Sequence, residues 1–105
     1  MTRELEDLNV LLKDVTKNVK DLQALCTLLS RDAGRYLEAV QKIQEELAKK
    51  GKFWGGHRGR LANLSGLMTT TAISERTGIP SRAKAIQSAL QAIEKILEKN
   101  PDIIE

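Results

Sequence analysis

From Leu5 to Leu47 the chain sets an apolar residue at each step of an alternating three- and four-residue stride: Leu5, Leu8, Leu12, Val15, Val19, Leu22, Cys26, Leu29, Ala33, Tyr36, Val40, Ile43 and Leu47. The stride runs for six heptads without slipping. A 3.5-residue apolar repeat keeps one face of an α-helix turned toward a partner, so the pattern predicts a long helix over about residues 3–50 with one buried seam. Leu11, Leu25 and Ala39 widen the stripe, and Val10, Leu28 and Leu37 add to it. The other flank, with Asn9, Thr16, Gln23, Ser30 and Gln44, is neutral where a two-stranded zipper would carry paired charges. A face this wide suits a helix packed against several neighbours. Gly34 costs about 1 kcal/mol relative to alanine in a helix, and Ser30-Arg31-Asp32 has the composition of a helix start. The unbroken register argues for continuity, with Ala33 and Gly34 as a place where another backbone comes close.

Past Lys50 the pattern stops. Gly51-Lys52-Phe53-Trp54-Gly55-Gly56-His57-Arg58-Gly59-Arg60 holds four glycines, which predicts a loop over 51–60. Leu61, Leu64, Met68 and Ala72 then share a helical face, giving a second helix over about 61–77 that is weakened by Gly66 and by Thr69-Thr70-Thr71. Thr77-Gly78-Ile79-Pro80 ends it. Ala83, Ile86, Leu90, Ile93 and Leu97 define a third helix over about 80–99, closed by Asn100-Pro101. No strand pattern occurs. The expected fold is all-α: a long N-terminal helix, a Gly-rich basic loop, and two shorter helices folding back antiparallel.

A helix over residues 4–48 would span roughly 65 Å, against a radius of gyration near 13 Å for a compact chain of this size. Its own two short arms cover one side of it, so sister copies are expected to hide the remainder. The seam residues Leu5, Leu8, Leu12, Val15, Val19, Leu22, Cys26, Leu29, Tyr36, Val40, Ile43 and Leu47 are the expected homo-oligomer interface. Cys26, the single cysteine among 105 residues, reads as a small buried apolar side chain.

Charge adds an address. Residues 1–50 hold nine Lys/Arg and nine Asp/Glu, and residues 61–105 hold five of each, so the formal net charge of +3 comes from Lys52, Arg58 and Arg60. Lys49 and Lys50 adjoin them. Cations neutralise phosphates and release counterions, Phe53 and Trp54 are rings that stack on bases, and glycines allow close backbone approach. Lys49, Lys50, Lys52, Phe53, Trp54, His57, Arg58 and Arg60 are therefore the candidate nucleic-acid-binding residues. One histidine and one cysteine form no recognisable catalytic group, metal-ligand spacing or phosphate loop. No enzyme activity, metal or cofactor is expected. The charged, helical opening predicts no secretory leader, and the apolar runs are far short of a membrane span, which points to the cytoplasm or a particle. The aromatic pair is too small an apolar patch to make a membrane the expected partner.

Three local resemblances bear on function. Ile73-Ser74-Glu75-Arg76-Thr77-Gly78-Ile79-Pro80-Ser81-Arg82 resembles the turn of a helix-turn-helix DNA reader, although Lys84 stands where that pattern buries an aliphatic. Thr77 to Leu90 is similar to the last helix of ribbon-helix-helix repressors. Both imply a small DNA-binding regulator using residues 73–90. Trp54-Gly55-Gly56 between helical arms resembles the WXG helical hairpins, which implies a secreted or partner-binding hairpin, with another helical protein as partner and no role with nucleic acid. The residues themselves favour a non-enzymatic assembly protein, coat-like or DNA-organising, that oligomerises through the first helix and holds a polyanion on residues 49–60.

Overall fold

The computed structural model describes residues 3–25, 30–73 and 78–105. Among them the chain forms α1 (Arg3–Leu25), α2 (Ser30–Lys50), α3 (His57–Thr71) and α4 (Ile79–Lys99), followed by a short 3-10 helix, Pro101–Ile103. Each helix packs on two others around a ring, α1 on α2, α2 on α3, α3 on α4 and α4 on α1, and the diagonal pairs stay apart. Side-chain links set the directions. Gln44 on α2 reaches Asn9 on α1, His57 on α3 reaches Glu46 on α2, Arg58 on α3 pairs with Glu94 on α4, and Arg82 on α4 reaches Asn18 on α1. Every neighbouring pair is thus antiparallel, which makes an up-down-up-down four-helix bundle.

The continuous N-terminal helix is not what forms. Residues 3–50 make two antiparallel helices, and residues 26–29 between them lie outside the described residues. The bundle measures 41 × 21 × 20 Å with a radius of gyration of 13.5 Å, too short for a rod of roughly 65 Å. The physical reason lies in what a heptad stripe specifies: it fixes which face is buried, and says nothing about what buries it. Folding α2 back onto α1 sets apolar face against apolar face without a second chain. The new helix starts at Ser30, and Asp32 lies in its first turn, where a carboxylate suits the helix dipole. Gly34 serves no close approach, since a Cβ there would meet nothing within 4 Å.

The seam expected to lie between sister copies is consumed inside one chain. Leu5, Leu8, Leu12, Val15, Val19 and Leu22 of α1 are buried in one core with Val40, Ile43 and Leu47 of α2. The same core takes Leu61, Leu64 and Met68 of α3 and Ile79, Ala83, Ile86, Leu90, Ile93 and Leu97 of α4. Tyr36 is half-buried against it, and Cys26 and Leu29 lie outside the described residues. Each fully buried Leu or Ile contributes about 1.5–3 kcal/mol relative to exposure, so this face is committed to the monomer. The stripe therefore needs no second chain to bury it.

The central loop is shorter than its glycine content suggests. Gly51 takes φ +64° at the end of α2, where its N–H donates to the Leu47 carbonyl. Gly55 and Gly56 then make a turn, and α3 begins at His57 rather than near residue 61. The threonine run is helical as far as Thr71 despite its low propensity, and the Thr69 and Thr71 hydroxyls are satisfied locally by donating to the carbonyls of Ser65 and Leu67 at 3.1 and 2.8 Å. α3 ends at Thr71 rather than near residue 77, and Gly78 enters α4 at φ +87°, a conformation glycine adopts without strain. Among the described residues no helix is long and apolar enough to cross a membrane.

Candidate nucleic-acid interface

Arg3, Lys50, His57 and Lys99 lie at the same end of the bundle because the helices alternate in direction. That end is closed by the chain's last residues. Phe53 N–H donates to the Ile103 carbonyl at 2.7 Å, Glu105 N–H donates to the Phe53 carbonyl at 2.7 Å, and Gly55 N–H donates to the Glu105 carbonyl at 3.3 Å. Lys52 Nζ adds a bond to the Asp102 carbonyl at 2.6 Å. The result is a strap, residues 101–105, lying across the turn between α2 and α3.

The strap sorts the eight candidate residues. Phe53 is drawn inward to 1% exposure and packs edge-on to His57 with ring centroids 5.8 Å apart. A ring in that position cannot stack on a base, which corrects its assignment. His57 is fully buried; its Nε2 donates to Glu46 Oε2 at 2.9 Å, and its Nδ1 has no partner among the described residues. It too is withdrawn from the surface and ties α3 to α2. Glu46 is held below its ordinary value of 4.5, first by that hydrogen bond, and further by the nearby charges of His57, Lys42 and Lys50 against the opposing effect of burial. Arg58 pairs with Glu94 of α4, so its charge is already answered. Lys49, Lys50 and Arg60 remain exposed, as does Lys52 despite its bond to the strap. Trp54 is 50% exposed, its ring standing perpendicular to His57 at a centroid distance of 5.1 Å and covering Gly56, where a Cβ would come within 2.6–2.8 Å of the indole.

Two cations that the sequence reading passed over join this set. α2 and α3 pack on each other least extensively of the neighbouring pairs, and between them lies a groove of about 470 Å³ lined by Arg35, Tyr36, Glu38, Ala39, Lys42, Arg60 and Asn63. Arg35 and Arg60 make no ion pair among the described residues. A signal for them existed. Arg35, Lys42 and Lys49 are seven residues apart, so the heptad that lines up the seam also lines up these cations on the polar side of the same helix.

Residues 74–77, the heart of the helix-turn-helix resemblance, lie outside the described residues. Arg82 is held by Asp21 at 3.1 Å and by Asn18 at 3.4 Å, while Lys84 is exposed. Trp54-Gly55-Gly56 joins the second and third helices of a four-helix ring, not the two arms of a hairpin. Comparison of the chain with protein-family models, with curated proteins and with solved structures gives no match.

Proposed function

We propose that this protein is a non-enzymatic helical bundle that binds nucleic acid through its α2–α3 side. Arg35, Lys42, Lys49 and Arg60 supply the phosphate contacts, and Trp54, with Lys50 and Lys52, supplies a stacking platform at the end of the same side. The observation that carries the reading is the convergence of Arg35, Lys42 and Arg60 on one groove whose lining holds a single carboxylate, Glu38. Guanidinium groups without internal partners are free to take phosphate oxygens, and Tyr36 and Asn63 offer hydrogen bonds alongside. Cations of this kind contact the phosphate backbone, so binding is sequence-tolerant. That suits a DNA-organising or coat-like role better than a regulator reading one site.

Fluorescence anisotropy with a labelled duplex across a salt series tests this. Four phosphate contacts give a log–log slope of about −3.6, so affinity falls about 150-fold between about 50 and 200 mM salt. The variant R35Q/K42Q/K49Q/R60Q should bind the duplex more weakly than the parent while keeping the helical circular dichroism spectrum. Binding that ignores salt, or a variant that binds as the parent does, refutes the proposal.

A further inference from the structure

The α1–α2 side carries a cation row of its own. Lys13, Lys17 and Lys20 recur at four- and three-residue spacing on α1 and, with Thr16 and Gln44, line a shallow groove of about 320 Å³. A second groove of similar volume continues it toward Gln41 and Leu37 of α2. No carboxylate lines either one, and among the described residues none of the three lysines is in an ion pair. Like charges on successive turns repel one another, and an anion laid along them turns that repulsion into attraction. Lys13 to Lys20 covers about 10 Å of helix, the axial rise of roughly three phosphates on one strand of a duplex at 3.4 Å each.

This row does not extend the α2–α3 groove. α2 stands at a corner of the ring, packed on α1 along one side and on α3 along the other. Glu38, at the edge of the α2–α3 groove, and Glu45, one heptad further along α2, stand exposed on the line between the two sides. A stiff duplex seated on either side meets carboxylates before it reaches the other. The two sides are adjacent faces of a four-helix ring that meet at α2, so they face different directions. We infer that the α1–α2 side is a second, separate nucleic-acid site, and that one bundle holds two segments at once and bridges them. The inference rests on the reading of the α2–α3 side given above and adds a second ligand segment to it.

The test is retention of a fluorescent duplex on beads that carry an unlabelled duplex, with single-duplex affinity measured in parallel by anisotropy. The parent should retain the fluorescent strand in proportion to protein added. K13Q/K17Q/K20Q and R35Q/K42Q/R60Q should each still bind one duplex, and each should lose retention at least tenfold. An equal mixture of the two variants should not restore it. If the lysine variant bridges as well as the parent, the second site does not exist. If the mixture restores retention, bridging comes from two copies of the chain, and the single-bundle inference falls. A parent that binds no duplex at low salt sinks both proposals, whereas a parent that binds duplex without bridging sinks only this one.

Discussion

Phe53 and Trp54 are adjacent aromatics in one turn, and replacing each with alanine should have opposite signatures. Phe53 is 1% exposed, lies edge-on to His57 and is fixed by backbone bonds to residues 103 and 105 on both its N–H and its carbonyl. Removing a fully buried phenyl costs about 3–5 kcal/mol through lost transfer energy and the cavity left behind. A chain of 105 residues has an unfolding entropy of about 0.22 kcal/mol per kelvin, so Phe53→Ala should lower the melting temperature by about 14–23 °C. Trp54 is half exposed and loses mainly its edge contact with His57, so Trp54→Ala should cost only about 0.5–1.5 kcal/mol. Binding should respond the other way. Below both melting points Phe53→Ala keeps the parent's affinity for single-stranded oligonucleotide, and Trp54→Ala loses the about 1–3 kcal/mol that stacking one base supplies. Thermal melts followed at 222 nm and anisotropy titrations at one salt concentration read both effects. If Trp54→Ala is the more destabilising change, or Phe53→Ala the more damaging to binding, the account of the strap is wrong.

Three further outcomes are expected. Arg60→Gln should reduce the salt slope for duplex binding by about 1, the share of one phosphate contact, while Arg58→Gln leaves it unchanged because Glu94 already occupies that guanidinium. Glu46 titrates below its ordinary value of 4.5, chiefly through its hydrogen bond with His57. A carboxylate lowered on folding adds stability that is full above its unfolded value and disappears as pH falls through its folded one. The melting temperature of the parent should thus fall more steeply than that of Glu46→Gln as the buffer is taken below 4.5, and parallel profiles would show the pair contributes nothing. Gly51→Ala should cost about 1–2 kcal/mol through the left-handed backbone alone, since its Cβ would make only an ordinary 3.6 Å contact with Leu5 at φ +64°; an unchanged denaturation midpoint would show the backbone relaxes there.

Much of the fold could be read from the apolar spacing, and the limits of that reading have identifiable causes. α4 was legible because its stripe is flanked by Gly78-Ile79-Pro80 and Asn100-Pro101, which mark both ends locally. The end of α1 was not, because the stride of Leu22, Cys26, Leu29 and Ala33 passes through the connection in phase. The eight candidate contact residues fared according to the range of their partners. Lys49, Lys50, Lys52 and Arg60 are exposed, as their chemistry suggests. Phe53 is buried by residues about fifty positions later, His57 by Glu46 on the preceding helix, and Arg58 is neutralised by Glu94 on the last one. None of these distant partners leaves a trace in the local sequence.

The broadest interface in the ring joins α1 to α4, the first helix and the last. A ribosome adding about 5–20 residues per second therefore leaves a timing problem. After residue 50 emerges, α1 and α2 can meet each other, but the flank that α4 will cover stays bare for roughly 2.5–10 s more, until about fifty further residues have been made. The nascent chain is most vulnerable to sticking to others during that interval, and a stop codon placed just before Gly78 would make the interval permanent.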